Sequence, residues 1–304
     1  MADYDVAIIG GGPAGLSAAL VLGRCRRRVI LLDHGKPRNY AAVQMHGYLG
    51  HDGIPPLELR EIGRRECEQY GVEFADAEVT GVCLCGEAPS EFELQVEGRS
   101  PLTARKLLLA TGMRDCLPEI ENIAEFYGKS VHHCPYCDGW EHRDQRLAAT
   151  GQGEAAVGLA ISLRTWSDKV TACTSGERLG DADRRRVERN GIALREEEPV
   201  LMEGRDGQIE RLHFAAGPPL ECDALFFSSE MVQRSKLPTL LGCKCDEEGL
   251  IITKGKQRVG VCGLFLAGDA DGDVQFAIVA AAEGATAATA INRELQDEDA
   301  GEAD

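Results

Sequence analysis

The stretch YDVAIIGGGPAGLSAALVLGR, residues 4–24, contains the clearest indication of the fold. Its DVAII is a short apolar run typical of a buried parallel strand, and Gly10, Gly12 and Gly15 follow with the spacing G-x-G-x-x-G. A helix-forming run of small residues comes next, then a second apolar strand that ends at Asp33. The three glycines allow a tight turn, the approach of a pyrophosphate and close helix–strand packing, and the aspartate accepts from a ribose hydroxyl. The segment therefore predicts a dinucleotide-binding βαβ unit with the phosphates at the helix N-terminus.

Two further apolar strands end in small residues, far from this unit in the sequence. KLLLATG spans residues 106–112, and GLFLAGDAD spans residues 263–271. The latter is followed at residues 274–291 by VQFAIVAAAEGATAATAI, which has the composition of a tightly packing helix. Because ligands of open α/β sheets bind outside the carboxyl ends of the strands, these segments indicate one nucleotide site built from both ends of the chain.

A second nucleotide-type unit lies between them. QRLAAT and KVTACT are strand-like, and the segment between them contains Gly151, Gly153 and Ala156 with the spacing G-x-G-x-x-A. The first of these strands is less apolar than DVAII, so the fingerprint is the weaker of the two. The chain is therefore predicted to carry two copies of one supersecondary unit.

The segment HHCPYCDGWE, residues 132–141, places two cysteines two residues apart. Such a motif serves as a zinc ligand pair, as the thiol centre of a small glutaredoxin-like protein, as an electron relay, or as an inert pair. No second CxxC is present, so a four-cysteine zinc site would need an unusual ligand combination. A glutaredoxin fold is small and does not lie between two nucleotide fingerprints. The context therefore favours an electron relay, and no metal is predicted.

Composition limits the classes of protein. The length of 304 residues suggests two domains, and a formal net charge of −17 argues against binding nucleic acid or an anionic membrane surface. No apolar run is long enough to span a bilayer, and no export signal is evident, so we expect a cytoplasmic protein without a membrane partner. The acidic end of the chain, ELQDEDAGEAD, is expected to be a solvated, frayed terminus.

The twelve cysteines of such a chain are expected to be mostly free thiols. Cys83 and Cys85 are one residue apart, and so are Cys243 and Cys245. On a strand, residues i and i+2 share a face, so each pair would lie side by side. The sequence does not assign a role to either pair.

The order of the motifs resembles a known family. The first fingerprint, Ala-Thr-Gly, CxxC-Asp, the second fingerprint and Gly-Asp follow one another as in the low-molecular-weight, thioredoxin-reductase-like branch of the FAD-dependent pyridine nucleotide-disulfide oxidoreductases. The resemblance covers essentially the whole chain. It implies an α/β fold of two Rossmann-like, doubly wound, three-layer nucleotide-binding domains, the second inserted in the first. The implied boundaries are residues 1–115 and 246–304 for a discontinuous FAD-binding domain, and residues 116–245 for an NAD(P)-type domain carrying the CxxC.

The resemblance also implies a homodimer and a set of FAD-binding residues. These lie in the first βαβ unit, in the loop after its second strand, at the two later strand ends and at the start of the last helix: Gly10, Gly12, Pro13, Ala14, Gly15, Asp33, Arg38, Asn39, Thr111, Gly112, Gly268, Asp269, Gln275, Phe276 and Ala277. Residues 275–277 would direct backbone N–H groups at the pyrimidine edge of the flavin, where negative charge develops on reduction. Gly151 and Gly153 are weaker candidates for binding NAD(P).

The resemblance assigns chemistry to three residues of the CxxC segment. Cys137 would face the flavin, and Cys134 would be the outer thiol that exchanges with an external sulfur. Asp138 would act as general acid or base for the leaving thiolate. The chemistry of imidazole adds His132 and His133, which would lower the pKa of a thiolate or shuttle protons, with solvated or structural histidines as the alternative; His133 is the predicted catalytic residue of the two.

The sequence departs from NADPH-dependent members of the family at one position. Those members carry a His-Arg-Arg cluster after the second strand of the inserted domain, which pairs with the 2′-phosphate of NADPH. Here residues 174–176 read Thr-Ser-Gly, and the arginines at 184–186 come later, in a helix-like segment with a solvated charged face. No acidic residue ends the strand to indicate NADH. We therefore predict an atypical branch with weakened or lost NADPH binding, and the NAD(P)H dependence stays open.

The loop at residues 35–53, GKPRNYAAVQMHGYLGHDG, also differs from that of thioredoxin reductases. It resembles the loop of pyridine-nucleotide-independent relatives, among them dithiol oxidases that close disulfides in small natural products and return electrons to O2. Other relatives take electrons from ferredoxin. Asp138 stands where the dithiol oxidases carry a histidine.

The predicted function is therefore that of a flavin-dependent disulfide oxidoreductase. Two electrons would pass between FAD and the Cys134–Cys137 pair and on to a thioredoxin-like protein or a small-molecule disulfide. One alternative is a dithiol oxidase that forms a disulfide in a small molecule with O2 as acceptor. Another is a flavin-binding redox sensor without turnover. The electron donor, the substrate and the direction of electron flow stay open.

Overall fold

The structure is a computed structural model that describes residues 2–85, 91–228, 230–272 and 274–301. Its chain forms two compact units. Unit 1 comprises residues 1–40, 47–114 and 232–304, and unit 2 comprises residues 41–46 and 115–231. Unit 2 is thus inserted between segments of unit 1, as the predicted fold class requires.

Both units contain strands and helices. The strands are β1 (Tyr4–Ile9), β2 (Val29–Leu32), β3 (Glu73–Ala75), β4 (Val79–Cys85), β5 (Glu91–Val96), β6 (Leu102–Leu109), β7 (Met113–Asp115), β8 (Val131–His132), β9 (Arg146–Thr150), β10 (Lys169–Cys173), β11 (Ala193–Arg195), β12 (Pro199–Arg205), β13 (Gln208–Phe214), β14 (Leu220–Glu221), β15 (Ala224–Phe227), β16 (Met231–Gln233) and β17 (Leu264–Leu266). The helices are α1 (Pro13–Arg24), α2 (Pro56–Glu68), α3 (Ile123–Phe126), α4 (Pro135–Asp138), α5 (Glu154–Leu163), α6 (Asp181–Arg189), α7 (Leu237–Leu240) and α8 (Ala277–Asp299).

Unit 1 is built on one sheet whose strands run in the order β3-β2-β1-β6-β5-β4, with β17 paired to β6. The pairs β1–β2, β1–β6, β2–β3 and β6–β17 are parallel, and β4–β5 and β5–β6 are antiparallel. The predicted βαβ unit is confirmed: it consists of β1 over residues 4–9, α1, and β2 over residues 29–32. All four residues of β2 are buried, as expected for a parallel strand covered on both faces.

One face of this sheet packs against α1 and α8. The core there contains Val6 and Ile8 of β1, together with Leu22 of α1 and Ile291 of α8. The two helices are rich in alanine and approach closely. A β-carbon added to Gly284 of α8 would lie 2.0 Å from the Ala14 carbonyl oxygen of α1. The last helix thereby completes the packing of the first βαβ unit, although the two are far apart in sequence.

Unit 2 is built on a parallel sheet of order β11-β10-β9-β15-β8 and an antiparallel sheet of order β12-β13-β14. Residues along β15 alternate between two cores, as the period of a strand requires. Ala224 and Phe226 pack in the core with α5 and α6, whereas Leu225 and Phe227 pack with the antiparallel sheet. The second covering layer of unit 2 is therefore largely an antiparallel sheet, which the sequence did not indicate.

The division into units differs from the predicted boundaries at three places. Residues 232–245, predicted in the inserted domain, cluster with unit 1, whereas residues 41–46 and Asp115, predicted in the first domain, cluster with unit 2. The Gln233 side-chain amide donates to the carbonyls of Gly249 and Ala270, and the Arg234 amide donates to the Gly112 carbonyl. These bonds attach the segment to unit 1. The assignment of FAD to one unit and of NAD(P) to the other stays a prediction at this stage.

The acidic end of the chain is more ordered than expected. α8 continues to Asp299, and its last turn is paired with basic residues from the start of the sequence and from β6. Glu298 pairs with Arg105 at 2.8 Å, and Asp299 pairs with Arg27 at 2.6 Å. The prediction of a frayed terminus is therefore wrong up to residue 299, because the acids meet cations that are distant in sequence. No helix in the described parts of the chain is long and apolar enough to cross a membrane.

Candidate active site

The turn between β1 and α1 has no room for side chains at two of its glycines. Gly10 has φ +113°, and a β-carbon there would lie 2.1 Å from the Ala110 carbonyl oxygen. A β-carbon on Gly15 would lie 1.9 Å from the Gly10 carbonyl oxygen. Gly12, the N-cap of α1, is different because a β-carbon there would have no neighbour within 4 Å. Gly10 and Gly15 thus shape the turn, and Gly12 leaves open space where a phosphate can approach.

Asp33 lies just after β2 and next to this turn. Its carboxylate pairs with the Arg60 guanidinium and accepts from the Gly35 amide at 3.2 Å. Arg60 also donates to the Gly11 carbonyl at 2.9 Å, which connects α2 to the glycine turn. A cleft at this place has polar groups on one side and apolar side chains on the other, namely Asp33, Arg60, Leu31, Leu57 and Phe74. Such a lining suits the ribose and base of a nucleotide.

Three predicted residues from opposite ends of the chain meet in unit 1. Arg38 donates to the Asp269 carboxylate at 2.8 Å and to the Gln275 side-chain oxygen at 2.6 Å. Gln275 also donates to the Asp269 carbonyl at 3.3 Å. Asn39 follows Arg38 in a half-buried turn. The cluster connects the loop after β2 to the start of α8, as one site drawing on both chain ends requires.

The remaining predicted FAD residues lie at the ends of β6 and β17 and at the N-terminus of α8. Gly112 has φ +65° and Gly268 has φ +86°, both in the region that favours glycine. Phe276 is the N-cap of α8, and Ala277 is its first residue. A β-carbon on Gly268 would lie 3.1 Å from the Ala14 side chain, so this glycine lets the strand end approach α1. Pro13 occupies the first turn of α1, where its missing N–H costs nothing.

The residues present fit a flavin dinucleotide. A β-carbon on Gly12 would meet no protein atom within 4 Å, so a phosphate can approach there, and the buried Thr111 hydroxyl has no hydrogen-bond partner among the described residues. A buried polar atom without a partner is costly, so a ligand atom beside Thr111 would remove a penalty of about 1–3 kcal/mol. The N-terminus of α8 adds unpaired N–H groups of the kind that stabilise negative charge.

In unit 2, Cys134 and Cys137 form a disulfide, with their Cα atoms 5.3 Å apart. Cys134 is the N-cap of the short helix α4, and its sulfur accepts from the Cys137 amide at 3.1 Å. A sulfur in this position gains from the amide hydrogen most strongly when it is a thiolate. The aromatic side chains of Tyr136 and Trp140 flank the motif and are largely exposed.

The histidines of the motif have different partners. His133 Nδ1 lies 3.9 Å from the Asp115 carboxylate, and Asp115 also accepts from the Tyr127 hydroxyl. His132 Nδ1 lies 3.3 Å from the Asp138 carboxylate. The structure therefore brings His132 to the predicted acid–base residue, whereas it places His133 beside a different carboxylate.

The other cysteines are not disulfide-bonded. Burial raises the pKa of Cys67 and of Cys222 to about 12, and that of Cys243 to about 11, so these thiols stay protonated. Cys83 and Cys85 lie side by side on β4 with their sulfurs 3.6 Å apart, as expected for a strand. Cys243 is buried and Cys245 is exposed, in a segment outside the named strands, so the shared strand face expected for this pair is absent from the described structure.

The second glycine-rich turn, between β9 and α5, contains an acidic side chain. A β-carbon on Gly153 would lie 2.6 Å from the Glu177 carboxyl group. Two arginines of α6 are paired with acids: Arg184 donates to Glu196 at 2.5 Å, and Arg186 donates to Asp183 at 2.7 Å. Gly151 lies close to Ser228, at the end of β15. This turn therefore presents negative charge where a dinucleotide phosphate would approach.

Sequence reasoning missed four residues of these sites. They are Arg60, Glu177, His142 and Gln145. Of these, His142 lies ten residues after His132, the first histidine of the CxxC segment. A third histidine so close to the motif was an available signal for His142. Nothing in the local pattern marks Arg60 or Glu177, because their roles depend on contacts with residues 27 and 24 positions away.

Comparison with known proteins agrees with the sequence resemblance. Residues 4–284 match the family described as pyridine nucleotide-disulphide oxidoreductase. A probable thioredoxin reductase of Arthroderma benhamiae is 30% identical over 301 residues, which cover 89% of this chain and 74% of that protein.

Solved structures give the same result. The crystal structure of HlmI has 37% identity and a TM-score of 0.94, covering 98% of this chain and 94% of that chain. A putative thioredoxin reductase, TrxB, from Bacillus anthracis has 33% identity and a TM-score of 0.90, covering 97% of this chain and 99% of that chain. The chain therefore belongs to the pyridine nucleotide-disulphide oxidoreductase family, as a thioredoxin reductase-like, FAD-dependent disulfide oxidoreductase.

Proposed function

We propose that the protein exchanges two electrons between FAD and an external disulfide or dithiol by opening and closing the Cys134–Cys137 bond. The observation that carries this proposal is the closed disulfide in α4, whose last residue is Asp138. FAD, when bound, supplies the reversible two-electron chemistry. The chain supplies the exchanging thiols and an adjacent carboxyl group to protonate the leaving sulfur.

The roles of the two cysteines follow from the family pattern and are supported by local geometry. Cys134 is the outer thiol, because a thiolate there is stabilised by the Cys137 amide. Cys137 is the inner thiol, next in sequence to Asp138. His133 is assigned to the same site, with Asp115 orienting its ring. Tyr136 and Trp140 are exposed aromatic side chains of the same segment and would line the approach to the outer sulfur.

The FAD is held by the residues of unit 1 described above. Gly10, Gly12 and Gly15 form the pyrophosphate turn, with Pro13 and Ala14 opening α1. Asp33 accepts from the ribose, and Arg60 fixes the orientation of its carboxylate. The cluster of Arg38, Asp269 and Gln275, with Asn39, Gly268, Thr111 and Gly112 around it, binds the ribityl and phosphate region. Phe276 and Ala277 present the α8 N-terminus to the flavin.

The external substrate is a thioredoxin-like protein in the first version of this proposal. Relatives of this chain carry the name thioredoxin reductase, which describes those proteins and supports the same partner class here. We also propose a homodimer in the cytoplasm, and light scattering after gel filtration should give twice the mass of one chain.

A second candidate runs the relay in the opposite direction, from a small dithiol through the cysteine pair to O2. Glu177 at the second glycine turn favours it, because a carboxylate repels the pyrophosphate of NAD(P)H. Arg184 and Arg186 are also paired with acids, so their charges are already partnered within the protein and do not favour NADPH binding. Ferredoxin is the remaining donor for the reducing direction.

Anaerobic mixing of the purified holoenzyme with single reductants tests both versions. We expect dithiothreitol to bleach the flavin band near 450 nm, a wavelength common to oxidised flavins. If NADPH or NADH bleaches the flavin at least as fast as the enzyme turns over, the protein accepts electrons from a nicotinamide nucleotide. That result would exclude an enzyme that works independently of these nucleotides. Hydrogen peroxide formed with a dithiol in air supports the oxidase, and its absence together with reduction of a thioredoxin supports the reductase. A redox sensor without turnover requires neither product to accumulate.

Removing the charge of Glu177 should strengthen nucleotide binding. A unit charge about 4 Å away in water contributes about 1 kcal/mol, so Glu177→Gln should raise the affinity of the oxidised holoenzyme for NADPH by about 5-fold. Isothermal titration at low ionic strength measures the change. The matched control is Glu188→Gln on α6, which removes the same charge from an exposed position away from the glycine turn. Equal effects of the two substitutions would show that Glu177 has no local role.

A further inference from the structure

His132 and His142 form a buried pair behind the redox disulfide. Both side chains are less than one-tenth exposed, and their Nε2 atoms lie 3.0 Å apart. Their rings contact the fully buried Phe226 of β15, at centroid distances of 5.4 and 6.2 Å. Because water has little access, the ring nitrogens of two imidazoles in an apolar environment must form their hydrogen bonds with protein groups.

The partners determine where the ring hydrogens lie. His132 Nε2 is 3.1 Å from the Lys129 carbonyl oxygen, which is only an acceptor, so this nitrogen carries a hydrogen. The same hydrogen faces His142 Nε2, which therefore acts as an acceptor. His142 Nδ1 lies 2.9 Å from the Gln145 side-chain oxygen and donates to it. Burial lowers the pKa of His142, which favours this neutral form.

His132 Nδ1 is then the only ring nitrogen of the pair that is free to exchange a proton, and it faces Asp138 at 3.3 Å. Without a proton between them, a nitrogen lone pair and a carboxylate oxygen face each other, which is unfavourable. One proton shared by the two groups removes the conflict, either as imidazolium with carboxylate or as imidazole with carboxylic acid.

We propose that His132, held in one tautomer by Lys129, His142 and Gln145, keeps a proton on the His132–Asp138 pair for thiol–disulfide exchange. This inference rests on the proposed function. Opening the Cys134–Cys137 bond takes up two electrons and two protons and yields two thiols; the electrons would come from reduced flavin in one direction and from an external dithiol in the other. Asp138 donates one of the two protons to the departing thiolate, and the reductant, which loses its own protons on oxidation, supplies the other; solvent then reprotonates the His132–Asp138 pair through the partly exposed carboxyl. His132 is thus a positioning residue that acts through Asp138.

Other charged groups around the pair are few. Glu141 follows α4 and lies 3.5 Å from His46, so its charge is shared with that ring. Both Asp138 and Glu141 favour the protonated form of His142, against the effects of burial and of His132. Lys129 contributes its carbonyl oxygen to the pair, and β15 contributes the apolar Phe226. Asp138 and Glu141 are therefore the two acidic side chains whose charges act on the histidine pair.

The first test compares variants of the holoenzyme by rapid mixing with dithiothreitol, from pH 5.5 to 8.5. His132→Gln retains a donor for the Lys129 carbonyl and removes the nitrogen that faces Asp138. We expect flavin bleaching to slow by about 10- to 100-fold and its pH profile to change. In an Asp138→Asn background, His132→Gln should cause no further loss, because His132 acts only through Asp138. The matched control is His213→Gln, whose ring pairs with Glu203 at the surface of the same unit.

A wild-type pH profile in His132→Gln, or independent losses that multiply in the double variant, would overturn the proposal. A second measurement needs no variant. Nitrogen-15 spectra of histidine-labelled protein should show His132 carrying a hydrogen on Nε2 and His142 as the neutral Nδ1–H tautomer, and the opposite tautomers would overturn it. Failure of the proposed function looks different, because turnover would then survive Cys134→Ser whatever the state of His132.

Discussion

Replacing Cys134 by serine is expected to reduce dithiol–disulfide turnover of the holoenzyme to the uncatalysed background, with FAD still bound. Serine cannot form the bond to Cys137, and its hydroxyl does not ionise to a nucleophile in this range of pH. The residues assigned to FAD belong to unit 1, whereas Cys134 belongs to unit 2, so the flavin spectrum should persist. Steady-state reduction of a thioredoxin, and peroxide formation with a small dithiol, measure the two directions of the reaction.

The control for this substitution is Cys262→Ser, which changes an exposed free cysteine of unit 1 and should leave both rates unchanged. Cys137→Ser should be as inactive as Cys134→Ser, because either change prevents closure of the same bond. An active Cys134→Ser protein would show that electrons leave the flavin by another route. Exposed Cys83 and half-buried Cys85, with their sulfurs 3.6 Å apart, are the first pair to examine in that event.

Adding one methyl group to the first glycine turn should weaken FAD binding at two positions, Gly15 and Gly12, but should destabilise the apoprotein only at Gly15. In Gly15→Ala the new carbon would meet the Gly10 carbonyl oxygen at 1.9 Å, and neither backbone segment can move away without separating α1 from β1. Overpacking of this kind costs about 3 kcal/mol, so the apoprotein should lose about 10 °C of melting temperature and most of its FAD. Thermal unfolding and the flavin content after purification measure the two effects.

Gly12→Ala is the matched substitution, since its new carbon has no protein neighbour within 4 Å and its extended backbone suits alanine. The apoprotein should therefore stay within about 0.5 kcal/mol of the original stability. FAD affinity should nevertheless fall by at least about 10-fold, because the methyl group occupies the space assigned to the pyrophosphate. Equal FAD affinity in Gly12→Ala and the unchanged protein would place the pyrophosphate elsewhere.

Much of unit 1 was predictable because its signals are local. The apolar runs at residues 4–9 and 29–32 form parallel strands, and the glycine spacing forms the turn between β1 and α1. Positive φ values at Gly10, Gly112 and Gly268 explain why glycine stands at these strand ends. A pattern of this kind depends on residues within about one turn or one strand of each other, so it can be interpreted without knowing the tertiary structure.

The proton partners of the redox centre were not predictable in the same way. Two adjacent histidines precede Cys134, and His133 was the predicted catalytic residue, although no local pattern separates the two. Because β8 pairs with β15, His132 turns towards the Phe226 side, where His142 and Asp138 also lie. His133, on the alternate face, meets Asp115 instead. The period of a strand thus separates the two rings, and strand register decides which carboxylate each one meets.

By itself the sequence determined the α/β class, the two nucleotide-type units, the flavoenzyme family and the CxxC pair that forms a disulfide, since each depends on short patterns and their order. Only the tertiary structure decided that Arg38 binds Asp269 and Gln275, that Glu177 stands at the Gly153 turn, and that His132 faces Asp138. These contacts join side chains that are separated in sequence and meet only in the folded protein. No short sequence pattern indicates them. The physical reason is that backbone conformation responds to neighbours in sequence, whereas the charge and proton position of a site respond to neighbours in space.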